Sequence, residues 1–261
     1  MTASYTFGDG DIAARRLALL YDAFEPEMRA FITASVTSRP ERALDLGCGI
    51  GLTTRLVAEL TGATRTLGVD VSEAFVARAR ATAGRSGIEF ELGDLTSATL
   101  PGGPADVQFC HLLLTHLPEP IEAIARWTSR LAPDGVLLID EVESISTAQP
   151  TLTRYLEMVS TLVQTTGGDL YIGPRLAAMS PPPGAAIVHN ALREHRLTAA
   201  VAAGMFRLNL AAFRERPSMR ERYGDELAAT APRLDALVEA SDSTTITWQM
   251  RQMAIRAPGG N

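Results

Sequence analysis

From Arg42 to Val142 the sequence alternates short apolar runs with amphipathic stretches, and no other feature constrains the fold as strongly. The apolar runs read RALDLGC, RTLGVDV, IEFELGD, ADVQFC and GVLLIDEV, and helical spacing occurs near Leu52–Leu60, Glu73–Ala83 and Pro118–Leu131. This alternation is typical of βαβ units, in which helices cover a parallel sheet. We therefore predict an α/β fold with a mostly parallel sheet across this segment.

The segments that flank this core depart from the βαβ rhythm. Apolar side chains recur at three- and four-residue steps in residues 11–36, which predicts one or two amphipathic helices. After Val142 a predicted helix near Thr151–Gln164 is followed by the loops GGDLYIGP and SPPPG, which indicate an inserted cap. The rest predicts strands near Ala186–Leu197 and Thr244–Arg256 and helices near Ala199–Arg214 and Arg220–Ala240. We divide the chain into an N-terminal helical cap segment (1–36), a core (37–145), an inserted cap or lid (146–184) and a C-terminal part of the sheet with helices (185–261).

Composition narrows the classes of partner. All 24 basic residues are arginine, which excludes lysine Schiff-base chemistry and the P-loop lysine. The net charge of −6 disfavours nucleic acid, and no apolar run is long enough to predict a membrane span. Cys48 and Cys110 cannot form a disulfide framework, which suits a cytoplasmic protein. We expect a small-molecule partner, no nucleic acid and no membrane; the oligomeric state stays open, with a homodimer as one expectation.

A glycine-rich turn, DLGCGIG at Asp45–Gly51, follows the first apolar run and precedes a predicted helix. Glycine permits both a sharp turn and the close approach of a ligand to the backbone. Its glycines stand at 47, 49 and 51, whereas the dinucleotide fingerprint requires glycine at 52, which is Leu52. The spacing therefore disfavours a nicotinamide-dependent oxidoreductase.

An acidic residue followed by G-x-G-x-G resembles the first motif of the class I S-adenosylmethionine-dependent methyltransferases, and the resemblance covers about Leu44–Val142. It implies a Rossmann-like, seven-stranded sheet whose last strand is inserted antiparallel, with a helical cap over the carboxyl edge. The implied reaction moves a methyl group from S-adenosylmethionine, leaving S-adenosylhomocysteine. The expected acceptor atom is an O or N, less readily a C, of a small, largely apolar metabolite in bacterial natural-product biosynthesis. A non-catalytic or repurposed S-adenosylmethionine binder is the alternative.

Acidic residues at two further strand ends fit such a cofactor. Asp70 ends the second apolar run, where its carboxylate can accept hydrogen bonds from a ribose diol. The resemblance implies that Asp94 accepts from the adenine amino group and that Asp45 with the Gly47 backbone holds the methionine amino group. The predicted cofactor-binding residues are Arg16, Asp45, Gly47, Cys48, Gly49, Gly51, Asp70, Val71, Asp94, Leu95, Cys110 and His111.

His111 follows the fourth apolar run and is the predicted catalytic residue. A histidine there can act as a general base near neutral pH, and no Asp or Glu competes with it locally in the sequence. Orientation of the acceptor without a base is the alternative. The Asp/Asn-Pro-Pro-aromatic motif of nucleic-acid amino methylation is absent here, and the four histidines show no ligand spacing, so no metal is predicted. On the acceptor side we expect Tyr5, Tyr21, Tyr171 and Arg175.

Overall fold

The computed structural model describes residues 8–84, 86–97 and 99–260. Tyr5, one of the predicted acceptor-side residues, lies outside these ranges. The strands are β1 (Arg42–Leu46), β2 (Arg65–Asp70), β3 (Ile88–Leu92), β4 (Ala105–His111), β5 (Leu131–Thr147), β6 (Ala186–Thr198) and β7 (Thr245–Arg256). The helices are α1 (Asp11–Ser35), α2 (Leu52–Thr61), α3 (Glu73–Ala81), α4 (Pro120–Thr128), α5 (Pro150–Thr165), α6 (Gly173–Ala177), α7 (Ala199–Glu215) and α8 (Pro217–Glu239).

The seven strands form one sheet in the order β3-β2-β1-β4-β5-β7-β6. Strands β1 to β5 pair in parallel, and β7 pairs antiparallel with both β5 and β6. The predicted Rossmann-like sheet and the antiparallel insertion of the final strand are therefore confirmed. Because β1, β2 and β4 are neighbours that run in the same direction, their carboxyl ends meet at one edge, where open α/β sheets bind ligands.

Alternating side chains of the central strands bury both faces of this sheet. In β5, Leu137 and Ile139 pack with Trp127 of α4 on one face. Leu138 packs on the opposite face with buried side chains of α1, α2, α5, α7 and α8. Strand side chains alternate between faces, so β5 carries a continuous apolar run because it is covered on both sides. The cap helices thus share a core with the sheet.

Two local features differ from the sequence-based expectations. The predicted strand GVLLIDEV is the middle of a longer strand, Leu131–Thr147, because β4 pairs with its first part and β7 with most of its length. Residues 167–174 are predicted as a loop, but the last two of them, Gly173 and Pro174, begin the short helix α6. The division of the chain into four segments remains a prediction. Within residues 8–84, 86–97 and 99–260, no helix combines the length and apolar character that a bilayer span requires.

Candidate functional site

A cavity of about 510 Å³ opens at the carboxyl edge of the sheet. The ends of β1, β2 and β4 form its floor, and α1, α5 and α7 close it from the cap side. Ten of the residues predicted from sequence line it: Arg16, Tyr21, Gly47, Cys48, Gly49, Asp70, Val71, Asp94, Leu95 and His111. The chain therefore brings together most of the predicted cofactor side.

The glycine turn is fixed by hydrogen bonds from its own backbone. The amides of Gly47 and Cys48 both donate to the Val69 carbonyl, at 2.9 and 3.0 Å. Gly47 and Gly49 have φ angles of +79° and +50°, in the left-handed region that favours glycine. Gly51 has a different role, since it does not line the cavity and a Cβ there would lie 2.7 Å from the Phe90 ring.

Asp70 lies over the glycine turn at the end of β2. Its Oδ2 accepts from the Gly49 amide and its Oδ1 accepts from the Ser72 amide, both at 2.8 Å. Burial raises the pKa of this carboxyl. A carboxylate offers about four acceptor positions, so these two bonds leave capacity for a diol in the cavity. Ser72 itself caps α3, because its hydroxyl accepts from the Phe75 amide.

Asp94 and Leu95 lie beyond β3, on the same side of the cavity. Asp94 Oδ1 accepts from the Thr96 amide at 2.8 Å and the Thr96 hydroxyl at 2.6 Å, which shapes a tight turn. The Leu95 carbonyl accepts from the Trp127 indole nitrogen at 2.9 Å. These bonds hold the backbone that borders the cavity in one conformation.

Besides Gly51, two predicted cofactor residues, Asp45 and Cys110, do not line the cavity. Asp45 is buried, and its Oδ2 accepts from the hydroxyls of Thr53 and Thr54, each at 2.6 Å. Burial raises the pKa of Asp45 to about 6. Cys110 is fully buried in β4, with its Sγ 3.7 Å from Oε1 of Glu141. These contacts connect β1 to α2 and β4 to β5 beneath the cavity.

Arg16 of α1 is buried and lines the cavity, so the N-terminal helix brings a cation to the cofactor side. His116 also lines the cavity. Burial first, and then the charge of Arg16, lowers the pKa of His116 to about 3. At neutral pH His116 is therefore uncharged, and Arg16 is the only arginine among the described residues that line this cavity.

His111 ends β4 and has a carboxylate partner that sequence reasoning missed. Its Nδ1 lies 3.0 Å from Oδ2 of Asp140, with 8% and 1% of the two side chains exposed. No Asp or Glu stands close to His111 along the chain, and Asp140 reaches it because the parallel register of β4 and β5 places residues 111 and 140 opposite each other. The signal was present in LLIDEV, where an acidic residue ends an apolar run as Asp45 and Asp70 do.

The backbone after His111 is strained and is held by a second buried acid. Leu112 has a φ angle of +51°, an uncommon conformation for a branched residue, and it lines the cavity. Glu141 Oε1 accepts from the amides of Leu113 and Leu114, at 2.7 and 2.6 Å. Burial raises the pKa of Glu141 to about 7. This carboxyl fixes the turn that aims His111 into the cavity.

The far side of the cavity is apolar and aromatic. Five aromatic rings form a chain of neighbours along it. The distances between successive ring centroids are 5.9 Å for His111 and Phe24, 5.9 Å for Phe24 and Trp248, 6.0 Å for Trp248 and Phe206, and 4.3 Å for Phe206 and Tyr155. Leu156, Val159 and Met205 complete this wall. An acceptor seated here meets apolar surface on most sides.

The remaining acceptor-side predictions fall elsewhere. Tyr171 lines a neighbouring cavity of about 440 Å³, which shares Ile145 and Leu156 with the first. Arg175 is exposed on α6. Within the part of the chain that the structure describes, no three His, Cys, Asp or Glu side chains form a group that could hold a metal ion.

Comparison with known families agrees with this geometry. Residues 44–139 match the model of a methyltransferase domain. Over these residues the chain carries a methyltransferase domain. Its bounds run from β1 into β5 and include the glycine turn, Asp70, Asp94 and His111. The resemblance predicted from DLGCGIG is thereby confirmed, and the family match lies within the predicted core segment.

Relatives and solved structures extend the comparison beyond the methyltransferase domain. Trans-aconitate 2-methyltransferase of Streptomyces avermitilis is 38% identical over 102 residues, which are 38% of each chain. The first five curated relatives are matched over only 32% to 50% of their length. A structure provisionally assigned as a type II methyltransferase, from Anaeromyxobacter dehalogenans, superposes with a TM-score of 0.57 at 19% identity, covering 90% of this chain and 97% of that one. The [4+2]-cyclase SpnF superposes with a TM-score of 0.54 at 19% identity, and the match covers 100% of this chain and 98% of the cyclase chain. The fold is therefore shared by proteins with different reactions.

Proposed function

We propose that this chain transfers a methyl group from S-adenosylmethionine to an O or N, less readily a C, of a small, largely apolar metabolite. Bacterial natural-product biosynthesis in the cytoplasm is the setting we propose for it. The observation that carries the proposal is that Gly47, Gly49, Asp70, Asp94 and His111 line one cavity whose far side is apolar. The proposal includes a small-molecule partner and neither nucleic acid nor membrane.

The residues on the sheet side suit the parts of this cofactor. Asp70, with acceptor capacity left over, would take the ribose diol, and Asp94 with the Leu95 backbone would take the adenine. Buried Arg16 would pair with the methionine carboxylate, and the glycine turn permits close approach of the methionine chain. When bound, S-adenosylmethionine supplies an electrophilic methyl group on a sulfonium.

His111 and Asp140 would handle the proton of the methyl acceptor. A buried carboxylate that accepts from Nδ1–H fixes the tautomer in which Nε2 has a free lone pair. Nε2 is buried and has no hydrogen-bond partner among the described residues. It can therefore accept a proton from a hydroxyl or amine in the cavity, while Asp140 stabilises the resulting imidazolium.

The charges of the cavity favour an uncharged acceptor over a tricarboxylate such as the trans-aconitate in the relatives' names. Three carboxylates need cations or many hydrogen-bond donors to offset their desolvation. Arg16 is the only arginine among the described lining residues, and His116 is uncharged. Phe24, Phe206 and Trp248 instead offer ring surface. The structure thus supports an acceptor class different from that of these relatives.

The test uses methyl-labelled S-adenosylmethionine with a panel of neutral phenols and amines of one to three rings, and trans-aconitate as the anionic comparison. Mass spectrometry measures S-adenosylhomocysteine and the labelled product. We expect label on the oxygen or nitrogen of an uncharged ring compound. Label on trans-aconitate alone would contradict the acceptor class. Tight binding of S-adenosylmethionine without formation of S-adenosylhomocysteine would favour a non-catalytic or repurposed S-adenosylmethionine-binding protein. Preferential binding of NADH would refute S-adenosylmethionine as the cofactor.

A further inference from the structure

One polar pair interrupts the apolar far side of the cavity. Asn209 of α7 donates from Nδ2 to the Tyr155 hydroxyl of α5 at 2.6 Å. Asn209 is 7% exposed, Tyr155 is fully buried, and both line the cavity. The Tyr155 ring stacks with Phe206 and with Phe213, with ring-centroid distances of 4.3 and 5.8 Å and interplanar angles of 14° and 13°. These ring contacts hold the tyrosine of the pair in place.

This pairing uses the Nδ2 donor of the Asn209 amide but not its Oδ1 acceptor. Its Oδ1 is buried and has no hydrogen-bond partner among the residues that the structure describes. A buried polar atom without a partner destabilises the fold, so such atoms are uncommon unless a ligand or water meets them. Met205, Phe206 and Val159, which line the cavity beside the pair, carry no strong donor, and Arg16 is the charged group whose field reaches Tyr155. A hydroxyl group on a molecule in the cavity would supply a neutral donor to the Asn209 amide.

We propose that Asn209 is a specificity-determining residue that binds a hydroxyl group on the methyl acceptor, away from the atom that is methylated. The proposal rests on the proposed function, because it concerns the acceptor side of the same cavity. A hydroxyl donates to Oδ1 and can also accept from the Tyr155 hydroxyl or the amide nitrogen, so it satisfies the pair in either orientation of the amide.

The positions of the two polar ends define the acceptor further. His111 lies at the sheet and Asn209 at the cap, and the contacting rings of Phe24, Trp248 and Phe206 connect the two ends. A molecule that reaches both ends is apolar and ring-containing in its middle, with a nucleophilic atom near His111 and a hydroxyl near Asn209. Sites built to hydrogen-bond a substrate hydroxyl reject the analogue that lacks it.

The experiment compares paired compounds on protein saturated with S-adenosylhomocysteine. The pairs are 2,6-dihydroxynaphthalene with 2-naphthol, and 4,4′-dihydroxybiphenyl with 4-hydroxybiphenyl. Calorimetry measures each dissociation constant for the unaltered protein, for the double variant Asn209→Leu/Tyr155→Phe, and for the control Met219→Leu, at a buried residue of α8 that does not line the cavity. The double variant removes both polar partners together, so it leaves no buried donor or acceptor of this pair unsatisfied and should fold.

We expect the unaltered protein and Met219→Leu to bind the diols at least tenfold more tightly than the mono-ols, and the double variant to lose this preference. A preference that persists in the double variant, or the absence of a preference in the unaltered protein, would overturn the role of Asn209. Binding of S-adenosylhomocysteine is measured first on its own. If that binding fails, the proposed function fails; if it holds and the diol preference is absent, only the assignment of Asn209 fails.

Discussion

At the scale of single residues, the proposed chemistry depends on His111 and Asp140, a pair that is separated by 29 positions in the chain. His111 could be singled out from sequence because it follows an apolar run that predicts a buried strand. Asp140 could not be placed beside it, because the pairing of residues 111 and 140 is a property of strand register. Asn209 was missed for the same reason, since helical periodicity indicates which face is buried and not which cavity that face meets.

Replacement of His111 by alanine tests the proposed proton acceptor. We expect the turnover number of His111→Ala to fall by about 10²- to 10⁴-fold at neutral pH, with little change in cofactor affinity. His189→Ala removes a histidine outside the cavity and serves as the control. Steady-state kinetics with a saturating acceptor make the measurement. A loss of less than tenfold would show that orientation of the acceptor carries the reaction without a base.

The buried acid Glu141 gives a prediction about stability and pH. Burial raises its pKa from 4.5 to about 7 in the folded chain, so the folded state holds this proton more tightly than the unfolded state does. The contribution of the Glu141 proton to the free energy of unfolding is fully present below about pH 4.5 and is lost as pH rises toward 7.

Glu141→Gln keeps an oxygen that can accept from Leu113 and Leu114 and removes the titration. Between about pH 5 and pH 8, the free energy of unfolding should fall by about 1–3 kcal/mol more for the unaltered protein than for the variant. Urea unfolding at several pH values measures this difference. Asp45 is common to both proteins, so its own titration cancels. Parallel profiles would contradict the buried, protonatable state of Glu141.

At the scale of elements, the sequence predicted the helices and turns that are determined by residues close together in the chain. Glycine spacing located the turn before α2, and periodicity located α1, α5 and α7 close to their observed bounds. The length of β5 could not be predicted, because its outer part is a strand through pairing with β7. The short helix α6 was missed because its five residues, Gly173–Ala177, carry too little periodicity.

The junction of the glycine turn with α2 gives a prediction at this scale. Gly51→Ala should destabilise the fold by about 2 kcal/mol or more, because φ is +82° and the new Cβ would meet the Phe90 ring at 2.7 Å. Gly204→Ala in α7 is the matched control, since no atom lies within 4 Å of the place its Cβ would take and alanine favours a helix by about 0.5–1 kcal/mol. Thermal unfolding compares the two. Equal effects would contradict the packing role of Gly51.

At the scale of the whole molecule, the cavity depends on parts of the chain that lie far apart in sequence. The methyltransferase domain at 44–139 supplies most of the cofactor side. Phe24, Tyr155, Phe206 and Trp248 come from outside the family match and line the proposed acceptor side. The cofactor side could therefore be predicted from motifs, whereas the acceptor side requires the fold. This division also explains why relatives that share the domain can differ in acceptor.

The most direct test of cofactor binding is the affinity for S-adenosylhomocysteine, measured by calorimetry on the unaltered protein, on Asp70→Ala and on the control Glu73→Ala. Asp70 lines the cavity, whereas Glu73 is an exposed acid three residues later, at the start of α3. We predict micromolar binding to the unaltered protein and to Glu73→Ala, and a loss of at least tenfold for Asp70→Ala, because the ribose would lose a charged acceptor worth about 1.5–3 kcal/mol. Equal affinity in all three proteins, or no binding to the unaltered protein, would contradict the assignment of this cavity to S-adenosylmethionine.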